Sequence, residues 1–354
     1  MNKKFWKNKK VLITGHTGFK GSWLSLWLKI LGANVVGISL PPNGKKNLYT
    51  ISNLKNKLVK SIYLNIKNKK KLEKEIIKIK PNIIFHLAAQ PLVIESYKKP
   101  LNTIETNILG TANLLEASKK VNSINAIIIV TTDKVYKNNN KKIFNTEKDQ
   151  LGGDDIYSYS KASVEMLVHS YRKSFFKNRI NILTVRAGNV IGGGDWSENR
   201  LIPDFIKAHQ NKKKLIIRNP NHIRPWQHVL DCLYGYILVA EKIYKNKKLT
   251  NLNSLNFGPK SNHLLSVKEI TKMILKKLNN SVNIIHKHRK YEFSEKKFLA
   301  LNSNLAKKTL GWSSKLNAQE SINLTLDWYQ EYFKKNDMYK YSCKQIKNYI
   351  SKNL

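Results

Sequence analysis

The sequence predicts a doubly wound α/β fold, a parallel sheet with helices on both faces, followed by a smaller and less regular region. Three observations predict it. Short, near-continuous apolar runs recur through the first half, each followed by a stretch of helical periodicity. The runs do not alternate polar with apolar, which marks strands covered on both faces. The first run leads directly into a glycine-rich turn that opens a helix, Gly15-His16-Thr17-Gly18-Phe19-Lys20-Gly21. Together these define a Rossmann-type arrangement.

The elements follow in chain order. Strands are expected at Val11–Thr14, Val35–Ser39, Ile62–Ile66, Ile83–Ala88, Ala126–Thr131 and Ile182–Arg186. Helices between them are expected at Trp23–Leu31, Leu72–Ile79, Thr103–Ser118 and Ser158–Ser174. Later helices are expected at Ile202–Gln210, Val229–Ile243 and Val267–Leu278. Trp312 and Leu324–Phe333 read as a docked helical segment. Residues 1–188 form the dinucleotide-type domain, with 229–257 returning to it. Residues 189–228 and 258–340 form the smaller substrate domain, and 341–354 a basic C-terminal tail.

Composition narrows the function. Of 354 residues, 64 are Lys or Arg against 23 Asp or Glu, a formal net charge of +41. A nucleic-acid binder is one reading. The lysines are scattered, though, with short runs at Lys7–Lys10, Lys67–Lys74, Lys137–Lys142 and Lys212–Lys214, and no stripe interleaved with stacking aromatics. A general shift toward Lys, Asn and Ile accounts for them, and the positive field favours an anionic substrate. The two cysteines, Cys232 and Cys343, make neither a disulfide framework nor a metal cluster. No run reaches membrane-spanning length, so a soluble cytoplasmic protein is expected. His16, His86 and His209 lack metal-ligand spacing, and no metal is expected.

Two constellations carry chemistry. Tyr157 and Lys161 stand four residues apart at a helix start, on one face. A nearby ammonium favours the phenolate, which can then take a hydroxyl proton as hydride leaves its carbon. The fifth strand ends in Thr131-Thr132-Asp133-Lys134, where strand ends line the ligand crevice. A polar tetrad at that place points to chemistry rather than structural filler, with a strand-end cap and a solvated lysine as the lesser alternative. The loop after the second strand, Gly37-Ile38-Ser39-Leu40-Pro41-Pro42, lacks the acid that often holds a ribose, and no cation stands there for a 2′-phosphate.

These motifs resemble the extended short-chain dehydrogenase/reductases, and among them the nucleotide-sugar dehydratases. The resemblance covers nearly the whole chain: Gly15–Trp27, His86–Val93, Arg186–Trp196, Leu201–Asp204, Ile217–Val229, Asn256–Pro259 and Leu310–Trp312. Most such dehydratases show Asp-Glu at the strand end. The branch acting on CDP-glucose shows Asp-Lys, as Asp133-Lys134 does here. Lys297 and Asn302 stand where that branch more often has His and Asp.

The resemblance implies NAD as cofactor. Thr14, Gly15, Gly18, Phe19, Lys20 and Gly21 would lie at its pyrophosphate, and Leu87, Ala88 and Ala89 against adenosine and ribose. Asn65-Ile66 stand where an Asp often meets adenine. Tyr157, Thr132 and Lys161 would oxidise carbon 4 of the glucose. Asp133 and Lys134 would share the elimination across carbons 5 and 6, with either the base or an electrostatic role open to Lys134. Substrate contacts are implied for Gln90, Asn189, the Gly192-Gly193-Gly194 loop, Arg200, Leu201, Arg218, Arg224, Trp226 and His228, with core packing the alternative for Trp226. Asn107 reads as a helix support, and Tyr159 as packing or a substrate contact. A homodimer or homotetramer built on the helices Thr103–Ser118 and Ser158–Ser174 is implied. A 4-epimerase, a dTDP- or GDP-sugar dehydratase, and a basic nucleic-acid-binding protein remain rivals at this stage. The Asp-Lys couple discriminates against the first two.

Overall fold

The computed structural model describes residues 2–137, 142–177, 179–245, 252–260, 264–279, 282–286 and 296–353. Most of the Lys137–Lys142 run, and parts of the expected 229–257 and 258–340 segments, lie outside the described residues. Seven parallel strands form one sheet: β1 (Lys10–Thr14), β2 (Asn34–Ser39), β3 (Lys60–Tyr63), β4 (Ile83–His86), β5 (Ala126–Val130), β6 (Asn181–Ala187) and β7 (Ser254–Phe257). Their spatial order is β7-β6-β5-β4-β1-β2-β3. The order reverses between β1 and β4, which opens a crevice at their C-terminal ends. Strands β4 and β5 are buried throughout, as apolar runs covered on both faces should be.

Helices cover the two faces. On one side pack α1 (Phe19–Ile30) and, from the second half of the chain, α6 (Val229–Lys245). On the other pack α2 (Lys69–Ile79), α3 (Gly110–Lys119) and α4 (Ile156–Ser174). Local signals start several of them. Asn68 accepts from Lys71 N–H at the start of α2, and Asp155 accepts from Ser158 N–H at the start of α4. The expected return to the sheet is β7, which pairs with β6 from Ser254↔Thr184 to Phe257↔Ala187.

The later helices are α5 (Leu201–Gln210), α7 (Val267–Lys277), α8 (Ala318–Phe333) and α9 (Met338–Asn353), the last of which packs against α1 through Trp27 and Tyr349. Three expectations shift. The third strand begins at Lys60 and ends at Tyr63 rather than spanning 62–66, because its ladder to β2 stops there. The helix expected over Thr103–Ser118 is broken into Pro100–Ile104, a π-turn at Glu105–Leu109, and α3. The segment expected as a basic tail from 341 is instead most of α9, with Ile346 and Tyr349 buried.

That last helix is anchored on a buried acid. Asp231 of α6 accepts from Tyr349 Oη (2.6 Å), Ser314 Oγ (2.8 Å), Lys315 N–H (3.0 Å) and Leu316 N–H (3.1 Å). Trp312 Nε1–H donates to the carbonyl of the same residue (3.1 Å). Among the described residues no helix is long and apolar enough to cross a membrane.

Candidate active site

The glycine turn is shaped by close backbone approach. Gly15 has φ +78°, and a Cβ there would lie 2.7 Å from Ala88 N. A Cβ on Gly21 would come within 2.1 Å of the Gly15 carbonyl oxygen. The turn is therefore tighter at these two positions than any residue with a side chain permits, and it leads into the first turn of α1, whose N–H groups have no acceptor within the helix. The end of β4 lies beside it, through Leu87 N–H to Thr14 O (3.1 Å) and Ala88 N–H to Thr14 Oγ1 (3.3 Å). Thr14, Gly15, Gly18, Phe19, Lys20, Gly21, Leu87, Ala88 and Ala89 thus share one rim, and this cradle fits a dinucleotide pyrophosphate. Ile66 does not join it by its side chain, which is buried against Gly110, and its carbonyl accepts from Asn113. Asn65 Oδ1 is occupied by Lys67 N–H (3.0 Å).

The acid/base turn forms where β5 ends. Thr132 adopts extended backbone and caps the short 3₁₀ turn Asp133–Val135. Its hydroxyl donates to Asp133 Oδ1 (3.0 Å). Asp133 is buried, and its Oδ2 has no hydrogen-bond partner among the described residues. A Cβ on Gly188 would lie 2.9 Å from that oxygen, so only glycine leaves the carboxylate its room.

Tyr157 and Lys161 project from the first turns of α4 beside this turn, both buried. Burial pushes the Tyr157 phenol up to about 12. Its hydrogen bond with Thr132 and the Arg200 charge pull it down, while Asp133 and Asp155 push it up. Lys161 Nζ donates to the Val130 carbonyl (3.0 Å). Its ammonium is lowered to about 8 by burial and the neighbouring Lys20. The expected lowering of the phenol therefore does not hold in this state, because desolvation outweighs the attractive charges.

Behind the pair lies a charged network that the sequence motifs did not reveal. Glu165, one turn beyond Lys161, accepts from Thr131 Oγ1 (2.5 Å), Thr184 Oγ1 (2.5 Å) and Arg186 Nε (2.9 Å). Arg186 also donates to Tyr136 Oη (2.8 Å), which donates to Asn256 Oδ1 (2.7 Å). Both ends of the 131–136 segment are thereby fixed. The available signal was an Arg inside an otherwise apolar strand, since a buried charge needs a partner. Asn107 plays the supporting part expected of it, joining Ser160 Oγ (2.9 Å) to the backbone of Gln90.

The residues expected at the substrate divide. Arg200 lies near enough to act on Tyr157 and pairs with Asp195 (2.9 Å), and Leu201 follows it as the first residue of α5. Arg218 bonds Asn199 (2.8 Å) at the surface. Arg224 is turned inward, donating to the Ile223 carbonyl (2.9 Å). Trp226 is buried with its Nε1–H on the Leu265 carbonyl (2.9 Å). His228 is fully buried and lowered to about 3 by that burial. The side-chain amide of Gln90 is engaged by Leu92 and Thr103, and the carbonyl of Asn189 by Gln227 N–H. The Gly192–Gly194 loop answers to packing, since a Cβ on Gly193 would lie 2.0 Å from Trp328 Cγ. Tyr159 is half exposed. Among the described residues, no group of three His, Cys, Asp or Glu could hold a metal ion.

A seven-stranded parallel sheet, this glycine turn and this Tyr/Lys pair define an extended short-chain dehydrogenase/reductase. The model of the family described as GDP-mannose 4,6 dehydratase matches residues 12–325. The CDP-glucose 4,6-dehydratase of Salmonella typhimurium is 39% identical over 363 residues, covering 99% of each chain. Among solved structures, the UDP-glucuronic acid 4-epimerase of Bacillus cereus, in complex with UDP-glucuronic acid and NAD, superposes with a TM-score of 0.79 at 25% identity. That match covers 91% of this chain and 99% of the other. The dTDP-glucose 4,6-dehydratase of Bacillus anthracis, in complex with NAD, gives 0.75 at 23% identity, over 93% and 97%. The chain belongs to the family of nucleotide-sugar 4,6-dehydratases.

Proposed function

We propose that this protein converts CDP-D-glucose to CDP-4-dehydro-6-deoxy-D-glucose and water. The observation that carries the reading is the Asp133-Lys134 couple at the end of β5, one strand end away from the dinucleotide cradle and beside Tyr157. It is reinforced by the near full-length similarity to a CDP-glucose 4,6-dehydratase. When bound, NAD supplies the hydride acceptor for carbon 4 and the hydride donor for carbon 6. The chain's own residues move the protons. Tyr157 takes the proton of the carbon 4 hydroxyl, with Thr132 hydrogen-bonding that oxygen. Lys161, whose amine donates to the Val130 carbonyl here, would hold the phenolate and the nicotinamide ribose.

Asp133 gives a proton to the carbon 6 oxygen through its unpartnered Oδ2, and Lys134 removes the carbon 5 proton. Oδ1 is held by Thr132, which leaves Oδ2 as the oxygen open to the substrate. Arg200 and Arg218 reach the diphosphate from the lobe formed by 189–228 and 258–340. The protein works in the cytoplasm, in deoxy-sugar synthesis for a surface polysaccharide.

The assay is purified protein with NAD and CDP-, UDP- or dTDP-glucose in parallel, read by the alkali-induced absorbance of a 4-keto-6-deoxy sugar. Product from CDP-glucose alone is the expected outcome. No product from any of the three, from folded protein with cofactor bound, would overturn the reading. Two chains pair through the broken helix 100–119 and α4. Leu101, Leu109, Tyr159 and Met166 are large apolar side chains left exposed on those helices. Light scattering is expected to give a dimer or tetramer, and Met166→Asp to weaken it.

A further inference from the structure

The amine of Lys296 reaches the acid/base turn from a distant stretch of the chain. Its segment runs beside Ile223, through Ile223 N–H to Lys297 O (3.0 Å) and Leu299 N–H to Ile223 O (3.3 Å). Asn145 N–H to Ala300 O (3.1 Å) holds it on the opposite side. So held, Lys296 Nζ donates to the Tyr136 carbonyl at 2.5 Å. Tyr136 immediately follows the turn Asp133–Val135, and its own hydroxyl is fixed by Arg186 and Asn256. Four charged groups face the amine: Lys134 and Asp133 from the turn, Asp154 and Asp155 from the loop that opens α4. Burial, and then the Lys134 ammonium, hold Lys296 below the ordinary lysine range. No motif read from the sequence contains this residue.

An ammonium bonded to a peptide carbonyl at the end of a one-turn helix fixes that backbone. It also acts by charge on every ionisable group of the turn, favouring loss of a proton from each. We propose that Lys296 is a positioning residue for the elimination step: it clamps the turn that carries Asp133 and Lys134 and adds a second positive charge beside them. The inference rests on the dehydratase reading above. In that reading one member of the couple releases a proton while the other takes one, so both must sit where a proton can leave and arrive. Lys296 acts on the couple through the Tyr136 carbonyl and through its field.

The test compares wild type with Lys296→Gln, Lys296→Met and Lys296→Arg. Gln keeps a donor for Tyr136 without the charge, Met removes both, and Arg keeps both. Both limbs of the kcat/KM profile are expected to move to higher pH by about half a unit or more in Gln and Met, because each group of the couple then loses a repelling or attracting cation. In Arg the limbs should stay in place. Limbs that stay put in Gln and Met would overturn the proposal, even if the rate falls. A second readout is independent of turnover. With lysines reductively methylated by ¹³C-formaldehyde, the Lys296 resonance, assigned by its absence in Lys296→Arg, should titrate below the bulk lysines and move up in Lys134→Gln. Titration with the bulk, unmoved by Lys134→Gln, would overturn the electrostatic link in folded protein of any activity. The lowered Lys296 titration in a wild type that turns over no sugar nucleotide would instead overturn the dehydratase reading, and with it the role in elimination.

Discussion

Three histidines sit inside this protein uncharged. His16 is lowered to about 4, and His86 and His228 to about 3, with burial the leading cause in each. His86 is bonded at both ring nitrogens, to Thr14 Oγ1 (2.7 Å) and Thr111 Oγ1 (3.0 Å). In the unfolded chain these rings take a proton near pH 6.5. Between that value and the folded one, the unfolded state binds more protons, so stability rises with pH and is lost on acidification. At pH 5 each ring contributes about 2 kcal/mol of destabilisation relative to neutral pH. The urea midpoint is therefore expected to fall sharply from pH 7 to pH 5, and His86→Gln to flatten that slope; an equal midpoint at both values would contradict the burial of these rings. Tyr157 behaves differently. Tyr157→Phe should leave the urea midpoint near wild type and lower kcat by about a thousandfold, within the usual range for a positioned proton carrier. The positions of Tyr157 and Lys161 at a helix start, and of Asp133 and Lys134 at a strand end, were legible because local spacing sets them. Lys296 and Glu165 were not, because their partners lie far away in the chain.

Elements explain which interior charges are tolerated. α4 and β6 meet through Glu165 and Arg186, whose side chains are 4% exposed each. The pair is satisfied by two threonines and Tyr136, which is what makes its burial bearable. Arg186→Met leaves the Glu165 carboxylate buried with the threonines alone and is expected to cost about 3–5 kcal/mol by denaturant unfolding. Arg186→Met combined with Glu165→Met should recover part of that loss; no recovery would mean that packing, and not charge, sets the cost. At this scale most strands and helices were legible, because apolar runs and helical periodicity report burial directly. The π-turn at 105–109 was not, since its side-chain pattern still reads as one helix. Nor was the inward turn of Arg224 and His228, whereas for Trp226 core packing stood beside a substrate contact as a reading of the sequence. Their residue types suit a phosphate or nucleotide pocket, and only the fold shows the side chains buried.

Over the whole molecule, a formal charge of +41 sets a background of self-repulsion. Salt should screen it, so the melting temperature is expected to rise between about 20 mM and 300 mM sodium chloride. A fall over that range would point to ion pairs outweighing repulsion. The helix α9 was mistaken for a tail because its lysine-rich face hides the apolar one. Truncation after Asp337 is expected to leave Asp231 without its Tyr349 partner and Trp27 without its ring neighbour, giving insoluble or unfolded protein. A soluble truncated chain with an unchanged melting temperature would show α9 to be dispensable. The Asp231 anchor carries one more consequence, for synthesis. Its carboxylate partners are drawn from 314–316 and from 349, so the shell stays incomplete until residue 349 has left the ribosome. A nascent chain that has passed Asp231 but not yet Tyr349 presents this acid with a bond missing.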